Sequence, residues 1–171
     1  MANSDSYCTG FTPHIDKKCT HIILGSMPSI ASLDAQQYYA HPQNRFWPLM
    51  AQILEHGPAP ERYEDRLAML LRHHIALWDS IAACDREGSL DSAIKNERGN
   101  DFSALLAEYP RIHTICFNGG KSFQCFKKYN KELLSHQDIH FYKLPSTSPA
   151  NARWTFEKLE DIWKIPFSKR K

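Results

Sequence analysis

Residues 113–123 read HTICFNGGKSF: a short apolar run, a glycine turn at Asn118-Gly119-Gly120, and the opening of an amphipathic stretch at Lys121-Ser122. Strand, tight turn and helix follow one another without a gap, and that succession decides the fold class. Downstream, a helix is expected over 121–129 and a strand over 139–144 (IHFYKL). Upstream, 20–24 (THIIL) and 75–78 (IALW) repeat the pattern of β-branched or aromatic residues followed by a polar or glycine-bearing turn. Helical periodicity fills the intervals at 45–56, 61–73, 102–109 and 153–163; in the last, Phe156, Leu159, Ile162 and Trp163 share a face, with Asn151 as the expected N-cap. Strands alternating with helices predict an α/β fold with a four-stranded, mainly parallel central sheet covered on both sides. Its ligands bind beyond the carboxyl ends of the strands, so the loops at those ends are the ones to read for chemistry.

The 171 residues, 42% hydrophobic and 23% charged, suit one compact domain with a core of its own. A disordered chain, a collagen-like rod and a small disulfide-stapled domain are excluded. No repeat or low-complexity linker divides the chain, and Gly57-Pro58-Ala59-Pro60 reads as a helix-to-helix turn. The expectation is a single domain over 1–171, with residues 1–18 and the basic tail 166–171 flexible. The first twenty residues lack an apolar run behind a basic start, and no segment approaches a membrane span, which predicts a cytoplasmic protein with no membrane partner. Cys8, Cys19, Cys84, Cys116 and Cys125 are odd in number and contain no C-x-x-C pair, so reduced, mostly buried thiols are expected rather than zinc or iron–sulfur ligands.

Net charge is only +2, yet it is unevenly spread. Between Arg111 and Lys131 lie five cationic side chains (Arg111, Lys121, Lys127, Lys128, Lys131) and no acidic one, and the chain closes on Lys169, Arg170 and Lys171. A solvated helix face with a basic tail explains this as well as a nucleic-acid partner does. The loops carry more information. After the first strand come Gly25-Ser26-Met27-Pro28-Ser29 and then YYAHPQNRFW over 38–47, where two tyrosines, two prolines and a carboxamide at a helix entrance suit a rigid pocket wall. The plainer reading makes Asn44 an N-cap and Phe46 and Trp47 core anchors.

Asn118-Gly119-Gly120-Lys121 offers backbone N–H groups at a helix start, a geometry that suits phosphate or a bare structural turn. It is no Walker A loop, because Ile115 stands where that motif requires glycine. Pro145-Ser146-Thr147-Ser148-Pro149-Ala150-Asn151 is a run of small polar residues stiffened by prolines, with donors for a phosphate or a groove. His136 and His140 do not share a helix face, H-E-x-x-H is absent, and no metal site is expected. His73-His74 reads as a helix C-terminus, and Asp79 and Asp91 as pocket or capping carboxylates.

Taken together, GSMPS, YYAHPQNRFW, LWDSIAACDREGSLDSAI, FNGGKSF and LPSTSPANA, spread from about Ile22 to Trp154, resemble the uracil-DNA glycosylase superfamily, and within it the hypoxanthine-DNA glycosylase family. The resemblance implies a three-layer α/β/α sandwich, a DNA repair activity on double-stranded DNA containing a deaminated base, no cofactor and no metal, and a monomer. It implies that Asn44 is catalytic, and that Gly25, Ser26, Met27, Pro28, Tyr39 and His41 form the base pocket, Tyr39 at the position of an aromatic residue that stacks on the flipped base. Asn118, Gly119, Gly120, Lys121 and the loop from Pro145 to Asn151 are the expected DNA contacts. One departure stands out: related mismatch glycosylases carry a water-positioning asparagine where this chain has Met27.

The chemistry agrees with that assignment. Hydrolysis of an N-glycosidic bond needs a positioned water and donors facing the base on which negative charge grows. Asn44 suits the water, and amides near Ser26 and Tyr39 suit the base oxygen. No lysine has a Schiff-base setting, which predicts a monofunctional enzyme that leaves an abasic site. Two alternatives remain at this stage, a uracil/thymine mismatch glycosylase and a non-catalytic DNA-binding module of the same fold.

Overall fold

The computed structural model describes residues 6–168; the first five residues and the basic tripeptide 169–171 lie outside it. Seven strands run in chain order: β1 (Tyr7–Thr9), β2 (His21–Gly25), β3 (Ile75–Asp79), β4 (Ile81–Asp85), β5 (Lys95–Gly99), β6 (Thr114–Asn118) and β7 (His140–Leu144). Six helices accompany them: α1 (Ile30–Ala35), α2 (Phe46–Glu55), α3 (Tyr63–Arg72), α4 (Phe102–Glu108), α5 (Gly120–Tyr129) and α6 (Phe156–Trp163). The central sheet has the order β3-β2-β6-β7 with every pair parallel.

Period-two alternation splits the core. Ile23, Leu77 and Cys116 face one layer with residues of α2, α3 and α6, while Ile22, Leu24, Ala76, Ile115 and Phe117 face the other with residues of α4 and α5. Continuously apolar strands are what a sheet buried on both faces requires, which is why the runs of β2, β3 and β6 were readable, whereas the edge strand β7 carries exposed His140 and Lys143. The α/β/α sandwich expected from the sequence is therefore present. Its four strands all end at one edge of the molecule, on Gly25, Asp79, Asn118 and Leu144.

Three features were not foreseen. A second, antiparallel sheet of order β1-β4-β5 continues directly from β3, the chain turning at the fully buried Ser80. Residues 6–18, expected to be flexible, supply β1 to that sheet and bridge the central one through reciprocal hydrogen bonds of His14 and Leu77 at 2.9 Å. The last helix begins three residues later than its period suggested: Thr155, not Asn151, is its N-cap, accepting from the Lys158 N–H at 3.3 Å. Asn151 instead donates to the Ser146 carbonyl at 3.0 Å and closes the preceding loop. No helix among the described residues is long and apolar enough to cross a membrane.

Candidate active site

A cavity of about 910 Å³ opens over the carboxyl ends of all four parallel strands, with Gly25, Asp79, Asn118 and Leu144 in its lining. Its other walls come from the turn after β2 (Ser26, Met27, Pro28), the segment before α2 (Tyr39, His41, Asn44), Gly119 and Gly120 at the start of α5, and the loop 145–151. Segments more than a hundred residues apart in sequence thus share one chamber, of a size suited to a flipped nucleotide.

The segment before α2 is rigidly held. Tyr38 donates its hydroxyl to the Thr12 carbonyl at 2.8 Å and its N–H to the Tyr63 hydroxyl oxygen at 3.0 Å, while its carbonyl accepts from the Trp47 indole at 2.9 Å. Those anchors hold Tyr39 at φ 56°, a left-handed conformation that is costly for a side chain with a Cβ. The Tyr39 ring stacks on Phe46 with centroids 4.0 Å apart, and burial raises its hydroxyl pKa. His41 accepts from the Gln43 N–H at 3.1 Å.

Asn44 is not the N-cap of α2, which is Arg45, but stands one residue before it. Its Oδ1 accepts from the Phe46 N–H at 2.9 Å, as a helix-entrance residue does, and from the Thr147 hydroxyl at 2.9 Å. Both lone pairs of the oxygen are thereby engaged, so the group Asn44 can offer a substrate is its amide nitrogen. Thr147, fully buried, is held by Asn118: the Asn118 Nδ2 donates to its hydroxyl at 3.0 Å and its N–H donates to Asn118 Oδ1 at 3.0 Å. Asn118, expected to touch DNA, spends both ends of its carboxamide inside the protein and orients Asn44 through Thr147.

The loop 145–151 is pinned from the same helix entrance. The Arg45 guanidinium donates to the carbonyls of Trp154, Ser148 (3.2 Å) and Asn151 (3.0 Å), and the Arg45 N–H donates to the Thr147 carbonyl at 3.1 Å. Trp163 in α6 adds a hydrogen bond from its indole to the Pro145 carbonyl at 2.9 Å. Ser146 rests against Gly119, where an added Cβ would sit 3.2 Å from that of Ser146. Gly119 itself has φ 94°, so the turn requires glycine twice over, for its conformation and for its neighbour.

On the opposite wall, Met27 is buried and packs with Ile81 and Cys84 of the second sheet and with Ile94 just before β5, so that it serves the core as well as the lining. Ser26 donates its hydroxyl to Asp91 at 2.6 Å. Asp79, at the tip of β3, is 4% exposed, and burial pushes its carboxyl up to about 7; the Arg86 guanidinium opposes that rise and the Asp91 charge adds to it. Arg86 is buried behind this wall and donates to the Pro28 carbonyl. Lys121, expected to hold phosphate, is the one foreseen residue outside the cavity lining. Arg45 and Arg86 were missed as site residues, since a lone arginine at a helix start or after a strand carries no pattern that separates it from surface charge.

Three comparisons bear on this arrangement. The family model of the uracil DNA glycosylase superfamily matches residues 12–165. A protein of Methanosarcina acetivorans named hypoxanthine DNA glycosylase is 38% identical over 158 residues, covering 92% of this chain and 96% of that one. One of the same name from Methanosarcina barkeri is 42% identical over 113 residues, 66% of this chain and 72% of that one. Among solved structures, the solution NMR structure of a candidate uracil DNA glycosylase from Methanosarcina acetivorans superimposes with a TM-score of 0.79 at 37% identity, covering 94% of this chain and 96% of that one.

Proposed function

The chain belongs to the uracil DNA glycosylase superfamily, and on that premise we propose that it is a monofunctional DNA glycosylase that removes hypoxanthine from deoxyinosine in duplex DNA. The observation that carries this reading is the chamber at the strand ends with the Asn44 carboxamide fixed at its rim. It is roomy enough for a purine, and the fixed carboxamide gives a donor that need not reorganise as the bond breaks.

In the reaction, a deoxyinosine leaves the duplex, which costs least where the base is mispaired. The C1′–N9 bond breaks with its electron pair on the base, giving an oxocarbenium-like sugar. Water adds at C1′ and gives up a proton, and the base departs carrying one. Asn44 holds the water through its amide nitrogen, and Tyr39 is the ring against which the base lies. Gly25, Ser26, Met27, Pro28 and His41 shape the pocket. Gly120 and Lys121 receive backbone phosphate, whereas the Gly119 N–H is already given to the Leu144 carbonyl at 3.0 Å, and the pinned loop Pro145 to Asn151 fills the gap left in the groove. One chain supplies every wall of the chamber, so a monomer suffices.

The test is alkaline cleavage of end-labelled duplexes carrying one inosine, uracil, xanthine or adenine. Scission at inosine that is lost in Asn44→Ala is the expected result. Scission at uracil in preference to inosine would reassign the substrate. Duplex binding without scission at any base would make the protein a binding module.

A further inference from the structure

Two buried oxygens on residues of the chamber lining have no hydrogen-bond partner among the described residues: Oδ2 of Asp79 and the hydroxyl of Tyr39. The side chains that carry them lie over Gly25. A Cβ placed there would come within 2.5 Å of Asp79 Oδ1 and 3.2 Å of the Tyr39 hydroxyl, so the strand end is kept bare for these two groups. Burying a carboxyl without a hydrogen bond is costly, and such a group in a ligand chamber points to a partner supplied by the ligand.

The mechanism derived above leaves Asp79 unused. We propose that Asp79 is a catalytic residue that enters the reaction as an uncharged carboxylic acid and donates a hydrogen bond to the carbonyl edge of the flipped base, stabilising the anion that departs. This rests on the DNA glycosylase reading. An uncharged carboxyl presents one O–H donor beside one acceptor oxygen, the complement of the adjacent C=O and N–H of a lactam, which deaminated bases carry. As the C1′–N9 bond breaks, its electron pair spreads onto the base and the acceptor gains charge, so the Asp79 hydrogen bond strengthens toward the transition state. Asp79 keeps its proton, and no proton transfer is required of it.

The surroundings fit the uncharged form. Burial first, and the neighbouring Asp91 carboxylate held by Ser26 to a smaller extent, raise the Asp79 pKa to about 7. Arg86, beyond β4, is the one cation acting against that rise, and no hydrogen bond joins the two side chains among the described residues. Tyr38 and Tyr39, on the segment packed across the chamber, have hydroxyl pKa values raised by burial and then by Asp79, so they do not titrate in the same range. Above pH 7 a charged Asp79 would repel the departing anion, whereas below it the donor is intact.

The experiment is the pH profile of single-turnover inosine excision from pH 5.5 to 9 for the full chain and for Asp79→Asn, which retains a donor but cannot titrate. The parent rate is expected to fall by about fiftyfold between pH 7 and 9, following loss of the protonated form, and the Asp79→Asn profile to be flat across that interval whatever its level. In parallel, the parent protein's affinity for duplexes with 2′-fluoro-deoxyinosine, which resists cleavage, should weaken across the same range, while affinity for a tetrahydrofuran abasic analogue should not. The binding arm needs no variant and stands even if Asp79→Asn does not fold. A flat parent profile, a falling limb that persists in Asp79→Asn, or equal pH dependence of the two affinities overturns the role of Asp79 and leaves the glycosylase reading intact. Absence of excision at every pH overturns both.

Discussion

Asn44 has one carboxamide oxygen and two N–H bonds, and the oxygen already receives Phe46 and Thr147. Exchanging oxygen and nitrogen would set an amide donor against the Phe46 N–H, so the orientation is determined by the backbone. Asn44→Asp keeps an acceptor for both neighbours and removes only the donors. Single-turnover excision of hypoxanthine in this variant is expected to fall by about a hundredfold, the scale of losing one preorganised donor, with the melting temperature little changed. A rate equal to the parent's would assign the water to the oxygen. The pattern H-P-Q-N-R-F-W by itself marked Asn44 only as a helix-entrance residue, and its expected part in the reaction came from the family resemblance. Which of its atoms is left free was not legible, since Thr147, which takes the second lone pair, and Asn118, which holds Thr147, arrive from the loop after β7 and the end of β6.

The loop between β7 and α6 behaves as an element in its own right. Small polar residues give it no core of its own, and three carbonyls of the loop, on Ser148, Asn151 and Trp154, converge on the one guanidinium of Arg45. Lysine has a single ammonium on a flexible stem and cannot serve three carbonyls from one planar fork. Arg45→Lys is therefore expected to weaken binding of an abasic-analogue duplex by about tenfold, read by fluorescence anisotropy, because the loop must then be ordered at binding. Unchanged affinity would show that Trp163 and Asn151 alone hold the loop. The second sheet was the element least accessible to sequence reading: β5 is KNERG, with no large apolar residue, and its pairing with β4 is interrupted by two register shifts. Such a strand forms because β4 presents an edge to it, a cause no local pattern records.

Across the whole molecule, the cationic stretch from Arg111 to Lys131 does not form one face. Arg111 precedes β6, at the amino end of the sheet and away from the chamber, and Lys121 opens α5 near the chamber. Because α5 runs back along the sheet, Lys127 and Lys128 sit about 10 Å further from that end at the usual helical rise, and Lys128 is paired with Glu97 at 3.2 Å. Few phosphates can then be neutralised at once. Duplex affinity is expected to fall only shallowly with salt, and removal of Lys169 to Lys171 to lower low-salt affinity and flatten the slope further; titration against ionic strength checks both. An unchanged slope would remove the tail from the interface.

The sequence by itself determined the α/β class, the four parallel strands and the loops that bear the chemistry, because apolar runs buried on both faces and glycine or proline turns are written locally. It also held the family, since five loop motifs keep their order and spacing along the chain. Only the tertiary structure decided which atom of Asn44 is free, that Asn118 works through Thr147 rather than outward, and that Asp79 lies unpartnered over Gly25. Those are relations between side chains from separate strand ends. They come into existence when the sheet brings those ends together, and hydrogen-bond direction and burial have no counterpart in the linear chain.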